Sequence, residues 1–193
     1  MTDPTPNLLG ETFPVIETPH FRLRKVEDSD LDDIFTVFSD PEALRYWSHV
    51  AMKEKEEAAA YIRRISEGWT TRHLLQWAVT RIGEDRLIGT CTWYEWSQSN
   101  RRAGVGYILA RRHWGQGIMR EVLPAFVRFG FVTMDLNRIE ADVDPRNLAS
   151  LRTLERLGFQ KDGYLRERYQ IGGETQDAVL LGLLRSEAGA LLR

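Results

Sequence analysis

The sequence holds only one cysteine, Cys91, among its 193 residues. A single thiol cannot form a disulfide within the chain, and it excludes the usual zinc clusters, which need several cysteine or histidine ligands at set spacings. Apolar runs fall well short of the roughly 20 residues that a helix needs to cross a bilayer. The polar N-terminal stretch also lacks the basic start and apolar core of a signal peptide. We therefore expect a cytoplasmic protein with no bound metal and no membrane contact.

A surplus of charge of one sign is equally absent. The chain carries 26 lysines and arginines against 28 acidic residues, a formal net charge of -2. Nucleic-acid binding needs a surplus of cations, so this balance argues against a nucleic-acid partner. Hydrophobic residues make up 42% and charged residues 28% of the chain, values typical of globular proteins, which excludes wholesale disorder.

Proline is concentrated at one end of the chain, with four of the seven in residues 1–19. This pattern predicts an extended leader over 1–19, either poorly ordered or draped over the domain. The length fits a single domain, and no repeat or later linker is visible. We place that domain at 20–185 and a C-terminal tail, a short helix or a frayed end, at 186–193.

Hydrophobic periodicity predicts a mixed α/β chain in the order β-α-α-β-β-β-α-β-α-β-β. Gly68 is expected to end the second helix as its C-cap, and Pro124 to bend the third. In the last helix, Leu148, Leu151 and Leu154 are expected to face inward. The predicted strands span 21–26, 76–82, 87–96, 103–110, 138–143, 159–170 and 175–184, and the helices 31–38, 53–67, 118–133 and 147–157.

The segment from Gly106 to Met119 predicts an anion site. A strand runs into a loop with Gly115 and Gly117, and the loop opens a helix whose first N–H groups lack intrahelical partners. Glycine allows positive φ and close approach of the backbone to a phosphate, and Arg112 adds a positive charge. The alternative interpretation is a tight turn without a ligand. The segment matches neither the P-loop nor the three-glycine dinucleotide motif.

A second segment, 138–150, also runs from a strand through a turn into a helix. Asn147 and Ser150 are three residues apart, so they share the first-turn face of that helix. Alternatively, Asn147 serves only as the N-cap and Ser150 only as a polar residue of the first turn.

Together the two segments resemble a known family. Arg112-x-x-Gly115-x-Gly117 resembles the acetyl-CoA pyrophosphate motif of the GNAT superfamily of N-acetyltransferases. Asn147-x-x-Ser150, followed by 154–159 (LERLGF), resembles the next motif of that superfamily. The combination is similar to the branch that acetylates the N-terminal alanine or serine of ribosomal proteins (RimJ/RimL-like), and the element order matches over about 20–184.

The resemblance implies an α/β (α+β) GNAT fold: a mixed, mostly antiparallel twisted sheet of about seven strands flanked by four helices. The sheet should splay between the strands at 103–110 and 138–143, and the pantetheine arm of acetyl-CoA, the implied cosubstrate, should fill the gap. Among the backbone amides there, that of Leu109 is expected to face the thioester carbonyl. The expected cofactor-binding residues are Ile108, Leu109, Ala110, Arg112, Gly115, Gln116, Gly117, Ile118, Asn147 and Ser150.

The implied reaction is direct attack of an amine on the thioester. Ser150 is then the expected proton donor to the leaving thiolate. Candidate bases are Glu140 and Glu167, with Glu95 a further strand-borne carboxylate. Tyr169 stands where one close branch carries a carboxylate, and Glu167, two residues away, should share its strand face.

The acceptor is the least constrained part of the sequence. A neutral amine at pH 7 costs about 1 kcal/mol for an α-amine but about 4.6 kcal/mol for lysine, which favours a protein or peptide N-terminus. The alternatives are a small amine (an amino acid, polyamine or antibiotic), a non-catalytic acyl-CoA-binding module and a nucleotide- or phosphate-binding domain. A monomer and a homodimer both fit.

An acceptor site is expected between 28–67 and the loops after 95 and 164, where aromatic residues line a slot or belong to the core: Tyr46, Trp47, Trp69, Trp93, Tyr94 and Trp96.

Overall fold

The computed structural model describes residues 8–192, which form one eight-stranded sheet with two α-helices on each face. Its strand order is β1-β2-β3-β4-β5-β6-β8-β7. The strands are β1 (Ile16–Glu17), β2 (Phe21–Lys25), β3 (Leu74–Arg81), β4 (Gly89–Ser97), β5 (Arg102–Leu109), β6 (Arg138–Val143), β7 (Gln160–Ile171) and β8 (Glu174–Leu184). The helices are α1 (Leu31–Phe38), α2 (Lys55–Thr71), α3 (Ile118–Val132) and α4 (Leu148–Arg156).

The predicted fold class is confirmed, with one strand more than expected. The extra strand β1 lies inside the stretch predicted as a leader, and Ile16 pairs with Leu23 of β2. Leu9 is buried, and the indole Nε1 of Trp77 donates to the carbonyl of Pro14 at 2.7 Å. Residues 8–19 therefore lie against the domain, whereas 1–7 of the predicted leader and 193 of the predicted tail fall outside the described residues.

The core divides between the two faces of the sheet because strand side chains alternate. One face packs against α3 and α4, where the fully buried Trp93 stacks on Phe126 with ring centroids 4.7 Å apart. The other face packs against α1 and α2 around Phe38 and Ile62. Within α4, Leu154 is buried, but Leu148 is 57% exposed and does not face inward as predicted, since it stands at the first position of the helix.

Gly68 does not end the second helix. The helix α2 continues to Thr71 and ends at Arg72, which adopts φ 58°. A Cβ on Gly68 would lie 2.7 Å from both the Cβ and the carbonyl oxygen of Leu74. Glycine is therefore required here by the close approach of α2 to β3 and not by the geometry of a helix terminus.

The sheet opens between β5 and β6. These parallel strands pair only over Arg102–Gly104 and Arg138–Glu140, and no pairing joins the later residues of either strand. We call this opening the fork. It faces the start of α4, so it lies between the two segments that the sequence singled out.

Gly68→Ala should lower the free energy of unfolding by about 1 kcal/mol. Overpacking against the Leu74 backbone costs about 2 kcal/mol, which exceeds the roughly 1 kcal/mol that alanine gains in helix propensity. Urea unfolding measures the change, with the exposed neighbour Glu67→Ala as a control expected within about 0.5 kcal/mol of wild type. A Gly68→Ala variant more stable than wild type would contradict the packing argument.

Candidate active site

The backbone at the end of β5 presents alternate amides to the fork. Ala110 N–H donates to the carbonyl of Ile88 at 2.9 Å, on the side away from the fork. Hydrogen-bonding groups alternate along an antiparallel pair. The backbone N–H of Ile108 therefore also points toward β4, whereas the N–H groups of Tyr107 and Leu109 point into the fork. Of the three amides predicted to hold pantetheine, the pleat therefore leaves that of Leu109 in position and directs those of Ile108 and Ala110 elsewhere.

The loop after β5 is held to the strand by an indole. Trp114 Nε1 donates to the carbonyl of Leu109 at 3.0 Å. A short 3-10 helix, Arg111–His113, makes the turn between them. The end of the strand and the glycine loop are thus fixed relative to each other.

The loop itself has the geometry of an anion site. Gly115 and Gly117 adopt φ of 73° and 75°, which other residues adopt only with strain. A Cβ at either position would meet nothing within 4 Å, so the conformation, not space, calls for glycine. Among the described residues, the N–H groups of 115–118 have no hydrogen-bond acceptor, and Ile118 begins α3. These donors sit at the positive end of a helix dipole.

The side chains of the loop brace it and make it cationic. The Gln116 amide donates to the Arg112 carbonyl at 2.9 Å and accepts from Arg81 at 2.9 Å, so only its backbone faces a ligand. Arg112 donates to the His113 ring at 3.0 Å. Burial, followed by the charges of Arg112, Arg81 and Arg86, lowers the pKa of His113. The loop therefore combines free amides with guanidinium groups, although Arg111 and Arg112 lie 2.9 and 4.0 Å from the carboxylates of Asp40 and Asp33.

The start of α4 places a hydroxyl pair across the fork. Asn147 Oδ1 accepts from the N–H of Ser150 at 3.1 Å, which is the N-cap role, and its Nδ2 has no partner among the described residues. Ser150 Oγ lies 2.9 Å from the phenol oxygen of Tyr107. Burial raises the pKa of Tyr107 to about 12, so this phenol stays protonated. Tyr107 was missed by the sequence analysis, because only the strand register reveals its contact with α4.

The two predicted bases lie in different surroundings. Glu140 sits at the closed end of the fork, where Arg102 and Arg138 bind its two oxygens at 2.9 and 2.7 Å. Glu167 is exposed, has φ 54° and lies in a bulge of β7 between Leu165 and Tyr169. That bulge breaks the two-residue alternation, so Glu167 and Tyr169 do not share one strand face as predicted. No hydrogen bond joins either carboxylate to Ser150 within residues 8–192.

An aromatic slot lies on the α1/α2 side of the fork, bounded by Trp47, Tyr94, Gly106, Asp142 and Tyr169. A Cβ on Gly106 would be 3.8 Å from the Tyr94 ring and 3.9 Å from the Trp47 ring. The phenol of Tyr169 donates to Asp142 Oδ2 at 2.8 Å. The rings of Tyr94 and Trp47 therefore approach the backbone of β5 at Gly106, beside the fork.

Only some of the aromatic residues predicted for the acceptor site belong to the slot. Tyr46 lies at its rim beneath Arg45 and Arg146, whose guanidinium carbons are 5.4 and 5.6 Å from the ring centre. Trp93 is fully buried in the α3/α4 core, and Trp69 and Trp96 pack against that same core. For these three residues the core interpretation is the right one.

His49 supports one wall of the slot as a neutral imidazole. Trp47 Nε1 donates to His49 Nε2 at 2.9 Å, and His49 Nδ1 lies 3.2 Å from the Val50 carbonyl. The ring stacks on Phe38 at 5.8 Å. Burial, with a smaller contribution from Arg64, lowers the pKa of His49.

Other site types find little support within the part of the chain that the structure describes. No three His, Cys, Asp or Glu side chains are grouped so that they could hold a metal ion. No helix there is long and apolar enough to span a membrane. Cys91 is buried, and that burial raises the pKa of its thiol, so it is a poor nucleophile.

A split sheet beside a loop with the geometry of an anion site is the arrangement expected of an acyl-CoA-dependent transferase, and comparison with known proteins agrees. The family described as acetyltransferase (GNAT) domain matches residues 20–160. The uncharacterized N-acetyltransferase p20 of Bacillus licheniformis is 34% identical over 170 residues, which cover 88% of this chain and 96% of the relative. The chain therefore belongs to the GNAT family of N-acetyltransferases, which use acetyl-CoA as the cosubstrate.

Two further relatives bear on the fold and the acceptor. The structure of a GNAT-family acetyltransferase from Bacillus anthracis has a TM-score of 0.79 at 22% identity, covering 90% of this chain and 100% of that chain, so it shares the fold. The [ribosomal protein uS5]-alanine N-acetyltransferase of Escherichia coli is 38% identical over 79 residues, 41% of each chain. The predicted resemblance, including that to ribosomal-protein acetyltransferases, is confirmed.

His49 should make the protein less stable in mild acid. Its pKa is near 6.5 when unfolded and lower when folded, so its contribution is fully present above 6.5 and is lost as the pH falls toward the folded value. Between pH 7 and pH 5 the wild type should therefore lose more unfolding free energy than His49→Gln, which retains an acceptor for Trp47. Urea unfolding at both pH values checks this, and equal losses would contradict a neutral buried His49.

Proposed function

We propose that this enzyme transfers the acetyl group of acetyl-CoA to the α-amine of a protein or peptide N-terminus of the alanine or serine type. The observation that carries the proposal is the fork, which has the glycine loop at one end and the aromatic slot on the α1/α2 side. This arrangement gives the donor and the acceptor separate approaches to one point near Leu109.

The donor site follows from the free backbone donors. The N–H groups of 115–118 would hold the pyrophosphate, and the pantetheine arm would lie along the fork as a substitute strand. The unpartnered Asn147 Nδ2 offers it a donor. Leu109 N–H would then stabilise the negative charge that develops on the thioester carbonyl oxygen.

The chemistry needs a proton acceptor and a proton donor. The amine nitrogen attacks the thioester carbon, the C–N bond forms and the C–S bond breaks. The leaving thiolate needs a proton, which Ser150 would give, with its hydroxyl 2.9 Å from the phenol oxygen of Tyr107. The short distance between the two hydroxyl groups would allow Tyr107 to orient the Ser150 hydroxyl by a hydrogen bond.

Two arguments support an α-amine acceptor. Deprotonating it at pH 7 costs about 1 kcal/mol, against about 4.6 kcal/mol for a lysine side chain. The Escherichia coli relative is named for the acetylation of an alanine of ribosomal protein uS5, and its 38% identity covers 79 residues of this chain. The slot residues carry a single carboxylate, Asp142, which matches one ammonium group better than the several charges of a polyamine.

Thiol release from acetyl-CoA tests the acceptor directly. Peptides with N-terminal alanine or serine should release thiol and gain one acetyl group on the α-nitrogen, as located by mass spectrometry. The same peptides with a blocked α-amine but a free lysine serve as the control and should be inert, and spermidine should react at least tenfold more slowly. Transfer to spermidine alone would contradict the N-terminal assignment.

Ser150→Ala should lower kcat by about 100-fold while leaving acetyl-CoA affinity within about twofold, because the hydroxyl acts on the leaving group. Tyr107→Phe should lower kcat by about tenfold, since it removes only the partner of Ser150. Glu155→Ala, exposed on the same helix, is the control and should match wild type. A Ser150→Ala variant with full kcat would remove Ser150 from the mechanism.

A further inference from the structure

We propose that Asp142 is the carboxylate that binds the ammonium group of the acceptor and takes its proton. This assignment rests on the proposed function and deepens it. Asp142 belongs to no recognisable motif, because it lies within an ordinary strand, two residues from the more conspicuous Glu140.

The position of Asp142 in β6 aims it at the reaction point. Glu140 is the last residue of β6 that pairs with β5, so Asp142 lies just past the point where the fork opens. Ile139, Ala141 and Val143 are buried on the α3/α4 face. Strand alternation therefore turns Asp142 to the opposite face, where the aromatic slot lies.

The two sides of the fork would then divide the proton chemistry. Ser150 and its partner Tyr107 stand on the α4 side, where the leaving sulfur is expected. Asp142 stands on the slot side, from which the amine approaches. An acceptor that reaches the thioester through the slot must pass this carboxylate.

The contacts of Asp142 leave one oxygen open. Its side chain is 19% exposed. Oδ2 accepts from the Tyr169 phenol at 2.8 Å and lies 3.5 Å from Arg168 Nε. Within residues 8–192, Oδ1 has no hydrogen-bond donor, which suits it to an incoming ammonium group.

The neighbouring phenols are neutral and suit a binding role. Burial, and then the charge of Asp142, raises the pKa of Tyr94, so its phenol stays protonated beside the slot. Burial and the same carboxylate raise the pKa of Tyr169. The slot therefore pairs one carboxylate with two aromatic rings, and the guanidinium carbon of Arg168 lies 5.5 Å from the centre of the Tyr169 ring.

The carboxylates on either side of Asp142 along β6 are already occupied. Glu140 is bound by two guanidinium groups at the closed end of the fork. Asp144, just after the strand, is buried and held by Arg146 through both oxygens, at 3.0 and 2.7 Å. Among the described residues, Asp142 is the one of the three with a carboxylate oxygen that has no hydrogen-bond donor.

The proposed step balances as follows. The ammonium group gives one proton to Asp142, which passes it to water, and the neutral amine attacks the thioester carbon. As the C–N bond forms and the C–S bond breaks, the sulfur gains a proton from Ser150, and the second proton lost by the nitrogen returns to Ser150 through water. One proton is released for each acetyl group transferred.

The test compares Asp142→Asn with wild type, using an alanine-terminated peptide, acetyl-CoA and the full chain. At pH 7 the variant should lose at least 100-fold in kcat/KM while binding acetyl-CoA as wild type does. Its activity should then rise about sevenfold between pH 7 and pH 9.5, following the neutral fraction of the α-amine, whereas wild type changes less. A purely structural role would not produce that difference in pH profile.

Further variants separate the carboxylate from its surroundings. Tyr169→Phe removes the hydrogen bond but keeps the carboxylate, so its loss should be tenfold or less and its pH profile that of wild type. Asp142→Glu retains the charge and is the second variant to use if Asp142→Asn disturbs the fold. It should recover at least a tenth of wild-type activity. Glu174→Gln, an exposed carboxylate of β8, is the matched control and should equal wild type.

The outcomes distinguish this assignment from the proposed function. Wild-type transfer with an unchanged Asp142→Asn variant would overturn the role of Asp142 alone. The same loss and pH profile in Glu167→Gln, with Asp142→Asn active, would assign the base to Glu167. No transfer to any peptide by wild type would overturn the proposed acceptor and this assignment with it.

Discussion

The structure depends on the point where β5 and β6 stop pairing. Up to Gly104 and Glu140 the two strands are joined, and Glu140 reinforces the joint by binding Arg102 of β5 and Arg138 of its own strand. The loop preceding β6 adds backbone bonds from Asn137 and Arg138 to the Arg101 carbonyl, at 2.6 and 3.2 Å. A firm joint at one end lets the strands separate at the other without loosening the sheet.

Separation leaves backbone groups that need partners. The N–H of Leu109 points into the gap, while Ala110 beside it is bonded to β4. An unpaired strand edge favours the addition of an extended ligand, because buried backbone N–H and C=O groups without hydrogen-bond partners cost free energy. The glycine loop continues this row of donors to the start of α3, so one ligand can engage both. The aromatic slot opens on the other side of the same gap.

Sequence patterns predicted those features that depend on local order. The boundaries of β6 agree with the prediction, and the glycine loop and the Asn147 N-cap lie where their motifs placed them. Features that depend on close approach or on strand register escaped the pattern. Gly68 has the spacing of a helix terminus but sits at a contact with Leu74.

The missed site residues share one physical reason. Tyr107 meets Ser150 only because the register of β5 turns its side chain toward α4. The prediction that Glu167 and Tyr169 share one strand face was wrong, because a bulge interrupts the two-residue alternation of β7. Asp142 lies just beyond the last pair of β5 and β6, and no local sequence motif marks where two parallel strands separate. Long-range geometry of this kind is absent from the spacing of residues along one chain.

Amide hydrogen exchange along β5, with and without acetyl-CoA, tests the central claim most directly. Ile108 and Ala110 face β4 and should exchange slowly in both states. Leu109 should exchange rapidly in the free protein and become strongly protected when acetyl-CoA fills the fork, together with the amides of 115–118, and ATP should not protect Leu109. Protection of the loop without Leu109, or equal effects of ATP, would contradict a thioester site in the fork.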